Sequence, residues 1–179
     1  MRLKKEYKEI TSEILNNEKF NILKNDVHHG TNKYDHCKRV SYLSFLLSKI
    51  LNANSSDCAR GGLLHDFFFG TRIEKAENDY LKHPKTSLNK ALKYFKVNKN
   101  EEKIIENHMY HCALAKKITP FFKLDYEGEK YFKNNRPTTK EGIIVCLSDL
   151  FVSFYEVIRY KIKYNTAMYM IFLINIIKL

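Results

Sequence analysis

The sequence predicts an all-α bundle of about six helices, and three observations carry that prediction. Glycine (6) and proline (3) are too scarce over 179 residues for the dense turns of a β-sandwich. Apolar residues recur at steps of three and four along most of the chain, with no convincing strand-like alternation. Hydrophobic residues at 44% and charged ones at 28% are ordinary for a globular domain, which excludes wholesale disorder and fibrous repeats. A chain of this length can bury a core without disulfide or metal staples.

Residues 3–24 place Leu3, Tyr7, Ile10, Ile14, Leu15, Ile22 and Leu23 at roughly helical spacing, with a polar opposite face. A loop follows over residues 25–32 and holds His28, His29 and Gly30. Over residues 34–51 the apolar positions Val40, Leu43, Leu46, Leu47, Ile50 and Leu51 define an amphipathic helix. Residues 52–56 form a turn in which Ser55, Ser56 or Asp57 can cap a helix over residues 57–69. Gly61 and Gly62 weaken that helix intrinsically, and a closely approaching neighbour helix accounts for them. The polar residues 70–82 read as a loop. His83-Pro84 opens a helix through residue 95, with Pro84 at the first helical position and His83 where the cap should be. Residues 101–111 form another helix. Residues 112–137, broken by Pro120, Gly128 and Pro137, read as irregular, and residues 138–164 as one long helix.

The apolar tail over residues 167–177 is short and interrupted by Asn175, too little to cross a bilayer. It packs on the core or on a second copy of the chain, or else anchors at a membrane surface. The whole chain, residues 1–179, is expected to be one domain flanked by an N-terminal helix and this apolar C-terminal one. The net charge is +11, from 31 basic and 20 acidic residues. The 25 lysines are scattered, so attraction of small phosphorylated molecules is expected and nucleic-acid binding is not. Four dispersed cysteines (Cys37, Cys58, Cys112, Cys146) form no CxxC pair, and the first residues are not an apolar secretion signal; both point to a reduced, cytoplasmic setting.

The chemistry concentrates where charge interrupts apolar runs. His65 and Asp66 lie inside Leu63-Leu64-His65-Asp66-Phe67-Phe68-Phe69, and Asp149 is the lone charge in residues 142–152. A buried carboxylate must be paired, hydrogen-bonded or bound to a cation. A buried His–Asp pair and an Asp–Arg pair would satisfy these groups singly, and so would a metal. Other histidines join them. His36 lies on the apolar side defined by Val40 and Leu43, and His108 shares the face of Ile104 and Ile105. Imidazole and carboxylate together suit divalent Fe, Mn, Zn, Co or Ni, and one Asp can bridge two ions.

His36, His65-Asp66 and Asp149, in this order, resemble the motif of the HD superfamily of metal-dependent phosphohydrolases. The surroundings Tyr34-Asp35-His36-Cys37-Lys38-Arg39-Val40 and Ala59-Arg60-Gly61-Gly62-Leu63-Leu64 resemble it too. The resemblance covers about residues 28–156 and implies the HD-domain helical bundle. His83 and His108, between the doublet and the last Asp, match the two-metal branch. The resemblance thus implies that His36, His65, Asp66 and Asp149 hold one ion, and that Asp66, as the catalytic bridge, shares a second with His83 and His108. Met109 follows His108 and no Gly-Tyr-Pro occurs, a departure from the cyclic-dinucleotide branch. The implied activity is cleavage of a phosphoester or phosphoanhydride of a small molecule, a nucleotide by preference, by a metal-activated water. The cofactors would be two divalent transition metals, with Mg as a substitute. The alternatives are a di-iron oxygenase on the same fold and a non-catalytic regulatory or nucleic-acid-binding module.

Three residues are assigned to substrate contact. His29 either reaches the pocket mouth or stays in solvent, whereas His28 reads as a solvated loop residue. Arg39 is either a phosphate clamp or a buried partner for Asp35 or Asp149. His111 is a spare ligand, an acid or a surface residue.

Overall fold

The computed structural model describes residues 2–28, 31–69, 81–118 and 124–177, apart from the side chains of Val27, His28 and residues 167–177. The all-α class holds. Helix α1 (Arg2–Leu15) leads through the short α2 (Glu18–Asn21) and a 3-10 turn (Ile22–Asn25) into a two-residue antiparallel ribbon, β1 (Val27–His28) with β2 (Thr31–Asn32). Then come α3 (Lys33–Ile50), α4 (Ser55–Leu64), α5 (His83–Tyr94), α6 (Lys99–Asn107), α7 (Tyr110–Ile118), α8 (Tyr126–Asn134) and α9 (Lys140–Ile177).

Local chemistry sets several boundaries differently from the apolar pattern. The Asn17 side chain caps α2, which divides residues 3–24 into separate turns. The cap of α4 is Asn54, one residue before the expected set: its side chain accepts from Ser56 N (3.0 Å) and Asp57 N (3.2 Å). Asp57 instead accepts from the Asn98 and Asn100 side chains, tying α4 to the start of α6. Residues 112–137 are not irregular throughout, because Asp125 caps α8 by accepting from Gly128 N at 2.7 Å and Gly128 lies inside that helix. The helix expected over 57–69 stops at Leu64, after which Phe67 N donates to Leu64 O and Phe68 N to Asp66 O in tight turns. His83 is the first residue of α5 and not its cap, while Pro84 does sit in the first helical positions. The loop expected over residues 70–82 lies mostly outside the described residues.

The core forms where α3, α4, α6 and α9 meet. Leu63, Leu64, Phe67, Cys37 and Ile105 are fully buried in one cluster, and Val40, Cys58, Ile104 and Val145 in a second. From α1, Tyr7 donates to Ser41 Oγ (2.9 Å), which in turn donates to Ala59 O (2.7 Å), so α1, α3 and α4 are joined by one chain of hydrogen bonds. On α9, Ile143, Leu147, Leu150, Phe151, Phe154 and Ile158 are each more than two-fifths exposed.

The glycine pair has the role its sequence suggested. A Cβ on Gly62 would stand 2.8 Å from Ser41 Cα and 3.1 Å from Ser41 N, backbone atoms that cannot swing away. Gly62→Ala is therefore expected to lower stability by about 1–3 kcal/mol through overpacking of α3 on α4. Urea unfolding reads this directly, and an unchanged midpoint would remove close approach as the reason for Gly62.

Candidate metal centre

The site begins with α3. Asn32 caps it by accepting from Asp35 N at 2.8 Å, and Asn32 Nδ2 donates to Asp35 Oδ2. This start places His36 one turn before Val40, on the buried side, with no exposed surface. Its two nitrogens meet two carboxylates of α9: Nε2 lies 3.1 Å from Asp149 Oδ1, and Nδ1 lies 2.9 Å from Glu156 Oε2. The other Glu156 oxygen accepts from Arg39 Nη1 at 2.6 Å. Arg39 is thus paired with a carboxylate on α9, but neither with Asp35 nor with Asp149.

The end of α4 supplies His65 and Asp66. His65 Nδ1 donates to Gly62 O at 2.9 Å, which fixes the tautomer and leaves a lone pair on Nε2. Among the described residues that Nε2 is buried without a hydrogen-bond partner, 3.7 Å from Asp149 Oδ1 and 3.9 Å from Asp66 Oδ2. His108, at the end of α6, repeats the arrangement: Nδ1 donates to Ile105 O at 2.7 Å and Nε2 points inward. His108 Nε2 comes within 2.9 Å of His83 Nε2, and Asp66 Oδ1 lies 3.1 Å from the His83 nitrogen and 3.5 Å from that of His108.

The electrostatics follow from burial and crowding. Burial works against a charged His36 ring, but Asp149 and Glu156 outweigh it and raise its pKa to about 10. Burial dominates at His65 and lowers it to about 4. At His108 burial again opposes the charged ring, yet Asp66 wins and the pKa rises. Burial pushes the Asp66 and Asp149 carboxyls up, while the surrounding histidines hold both well below the usual carboxylate range.

These residues suit a cation. Three overlapping groups, His36/His65/Asp66, His65/His108/Asp149 and Asp66/His83/His108, each bring their ligand atoms within 4.8 Å of one another, and every member is buried. Two inward-facing lone pairs, one of them with no hydrogen-bond donor, beside two ionised carboxylates form a donor set for a divalent metal. Backbone carbonyls orient His65 and His108 from the far ring nitrogen, as metal-binding imidazoles require.

All six expected ligands therefore meet in one place. Of the expected substrate contacts, His29 lies outside the described residues. His111 is half-buried on α7, donates Nδ1 to His108 O at 2.9 Å, and has its pKa lowered by burial. Glu156 was not anticipated. The pattern that could have revealed it is that it falls two turns after Asp149 on the same helix, the only acidic residue after that Asp.

A family model described as HD domain matches residues 34–152, about two-thirds of the chain and every residue of the cluster. No curated protein and no solved structure matches the chain. With its His, His-Asp and Asp elements buried together inside the matched span, the chain belongs to the HD domain family.

Proposed function

We propose that residues 1–179 act as one HD-type domain, a metal-dependent phosphohydrolase that cleaves a phosphoester or phosphoanhydride of a small molecule, a nucleotide by preference. The observation that carries this is the shared membership of the three ligand groups: His65, Asp66 and His108 each belong to two of them. A cluster of that shape suits two neighbouring divalent ions, with His36, His65, Asp66 and Asp149 around one and Asp66, His83 and His108 around the other. Fe, Mn, Co, Ni or Zn fits the mixed imidazole and carboxylate set. Bound there, the ions supply a low-pKa water and neutralise phosphoryl charge.

The chain's own residues do the rest. Backbone carbonyls of Gly62 and Ile105 keep the His65 and His108 lone pairs inward. Glu156 holds His36 by Nδ1, and the buried walls from α3, α4 and α6 exclude bulk water. Four free thiols agree with a reducing, cytoplasmic setting. Among the described residues no helix is long and apolar enough to cross a membrane. Self-association through the exposed apolar side of α9 is part of the same reading.

Phosphate or nucleoside phosphate should be released under anaerobic conditions, with release abolished by chelator and restored by Mn, Fe, Co or Ni. Elemental analysis should find up to two ions per chain, with His83→Ala and His108→Ala each losing one and His36→Ala weakening the other. An unchanged metal count in all three variants would remove the two-ion assignment. A product that forms only while dioxygen is consumed in equal amount would assign the protein to the oxygenases instead.

A further inference from the structure

On the far side of Glu156 from His36, a cleft of about 190 Å³ opens between β2, α3 and α9. Three cations line it, Arg39, Arg159 and Lys163, together with Thr31 and the rings of Tyr155 and Tyr160. One carboxylate faces them, and it is already engaged: Glu156 accepts from Arg39 through one oxygen and meets His36 with the other. Arg39 uses a single nitrogen, Nη1, for both Glu156 and Thr31, so among the described residues Nε and Nη2 keep unfilled donors over a side chain 35% exposed. Among the described residues Arg159 reaches only the Tyr155 hydroxyl, at 3.4 Å. Lys163 has no ion-pair partner among the described residues. Arg159 and Lys163 stand four residues apart on one helix, a like-charge spacing that costs stability unless an anion lies between them.

We propose that this cleft is a binding site for a small phosphate-class oxyanion, separate from the metal cluster. Guanidinium forks with free donors match phosphate oxygens, and the Thr31 and Tyr160 hydroxyls can add neutral donors. Its volume falls below the roughly 300–1,000 Å³ of sites that enclose a whole drug-sized ligand, so it takes a phosphate or pyrophosphate group and not a whole nucleotide. That group is either free or carried by a nucleotide whose base rests on the tyrosine rings.

The test uses the full-length chain stripped of metal by chelator, titrated calorimetrically at low salt with inorganic pyrophosphate and, in parallel, with a nucleoside diphosphate. Pyrophosphate should bind saturably, and the double variant Arg159→Ala/Lys163→Ala should weaken it at least about tenfold. The double variant Lys4→Ala/Lys8→Ala, on α1, removes the same charge elsewhere and should change binding less than about twofold. Metal content should match the wild type in both variants, and without added anion neither should melt below the wild type. A nucleoside diphosphate binding more tightly than pyrophosphate assigns a nucleotide-borne phosphate, and equal or weaker binding assigns a free oxyanion. Absence of saturable binding, or equal weakening by the two double variants, would overturn the site. Because the readout is binding without metal, it is independent of whether the cluster hydrolyses anything.

Discussion

Asp66→Ala is expected to empty the cluster of divalent metal and to cut kcat/KM by about a thousandfold or more, while leaving the helices in place. The several kcal/mol this represents is what a metal ion contributes to a charged phosphoryl transition state. Asp66 approaches three imidazoles at once, His83 at 3.1 Å, His108 at 3.5 Å and His65 at 3.9 Å. Its loss leaves two groups of ligands without the carboxylate they share and without the charge that offsets two dications. Its backbone role, accepting from Phe68 N at 2.8 Å, does not depend on the side chain. Elemental analysis, steady-state kinetics and far-UV circular dichroism check the three parts of this expectation. A variant that keeps two ions and normal turnover would contradict the bridging role. Asp149→Asn should be gentler on folding, since a neutral amide of the same shape is less costly to bury, yet it should still reduce activity.

Five of the six clustered residues were legible in the sequence for one physical reason. Each is either a polar residue stranded in an apolar run, as His65, Asp66 and Asp149 are, or a histidine on the apolar face of a helix, as His36 and His108 are; His83 carries no such signal and was assigned through the resemblance alone. Burial of such groups demands partners, so the pattern itself carries the constraint. Glu156 escaped because its surroundings, Tyr155 before it and Arg159 three residues on, read as the edge of a solvated face. Only the crossing of α9 over α3 brings it to His36. The same limit explains the misplaced helix end. Phe67, Phe68 and Phe69 extend the apolar run, and periodicity cannot separate a buried turn from a buried helix. The structure stops α4 at Leu64, where His65 turns its Nδ1 back to Gly62 O, and Asp66 follows immediately with its carboxylate in the cluster. At α8, Gly128 read as a breaker because composition does not show that Asp125 caps the turn it sits in.

The second large effect is expected at Glu156. This carboxylate is 4% exposed and joins His36 to Arg39, so Glu156→Ala leaves a buried imidazolium short of one partner and frees a guanidinium that water reaches only in part. Removing one member of a buried ion pair costs about 3–5 kcal/mol, and the partly exposed Arg39 places the expected loss toward the lower end. Glu156→Gln keeps the shape and one acceptor and should cost less. It separates packing from charge through pH. In the metal-free protein the His36 pKa is raised to about 10 from 6.5, opposed by burial and driven by Asp149 and Glu156. A raised folded-state pKa contributes stability that is complete below the unfolded value and disappears as pH climbs through the folded one. The wild type should therefore lose this contribution between pH 6.5 and about 10. With Asp149 and the charge of Asp66 left to hold the proton, Glu156→Gln should begin its alkaline loss at lower pH. Metal affinity should fall as well, by about 10–100-fold, because Nδ1 of His36 loses the carboxylate that orients the ring. Urea midpoints of the metal-free proteins across this range, paired with metal titrations, decide the matter. If both the alkaline limb and the metal affinity match the wild type, Glu156 serves Arg39 alone and His36 takes its orientation from packing.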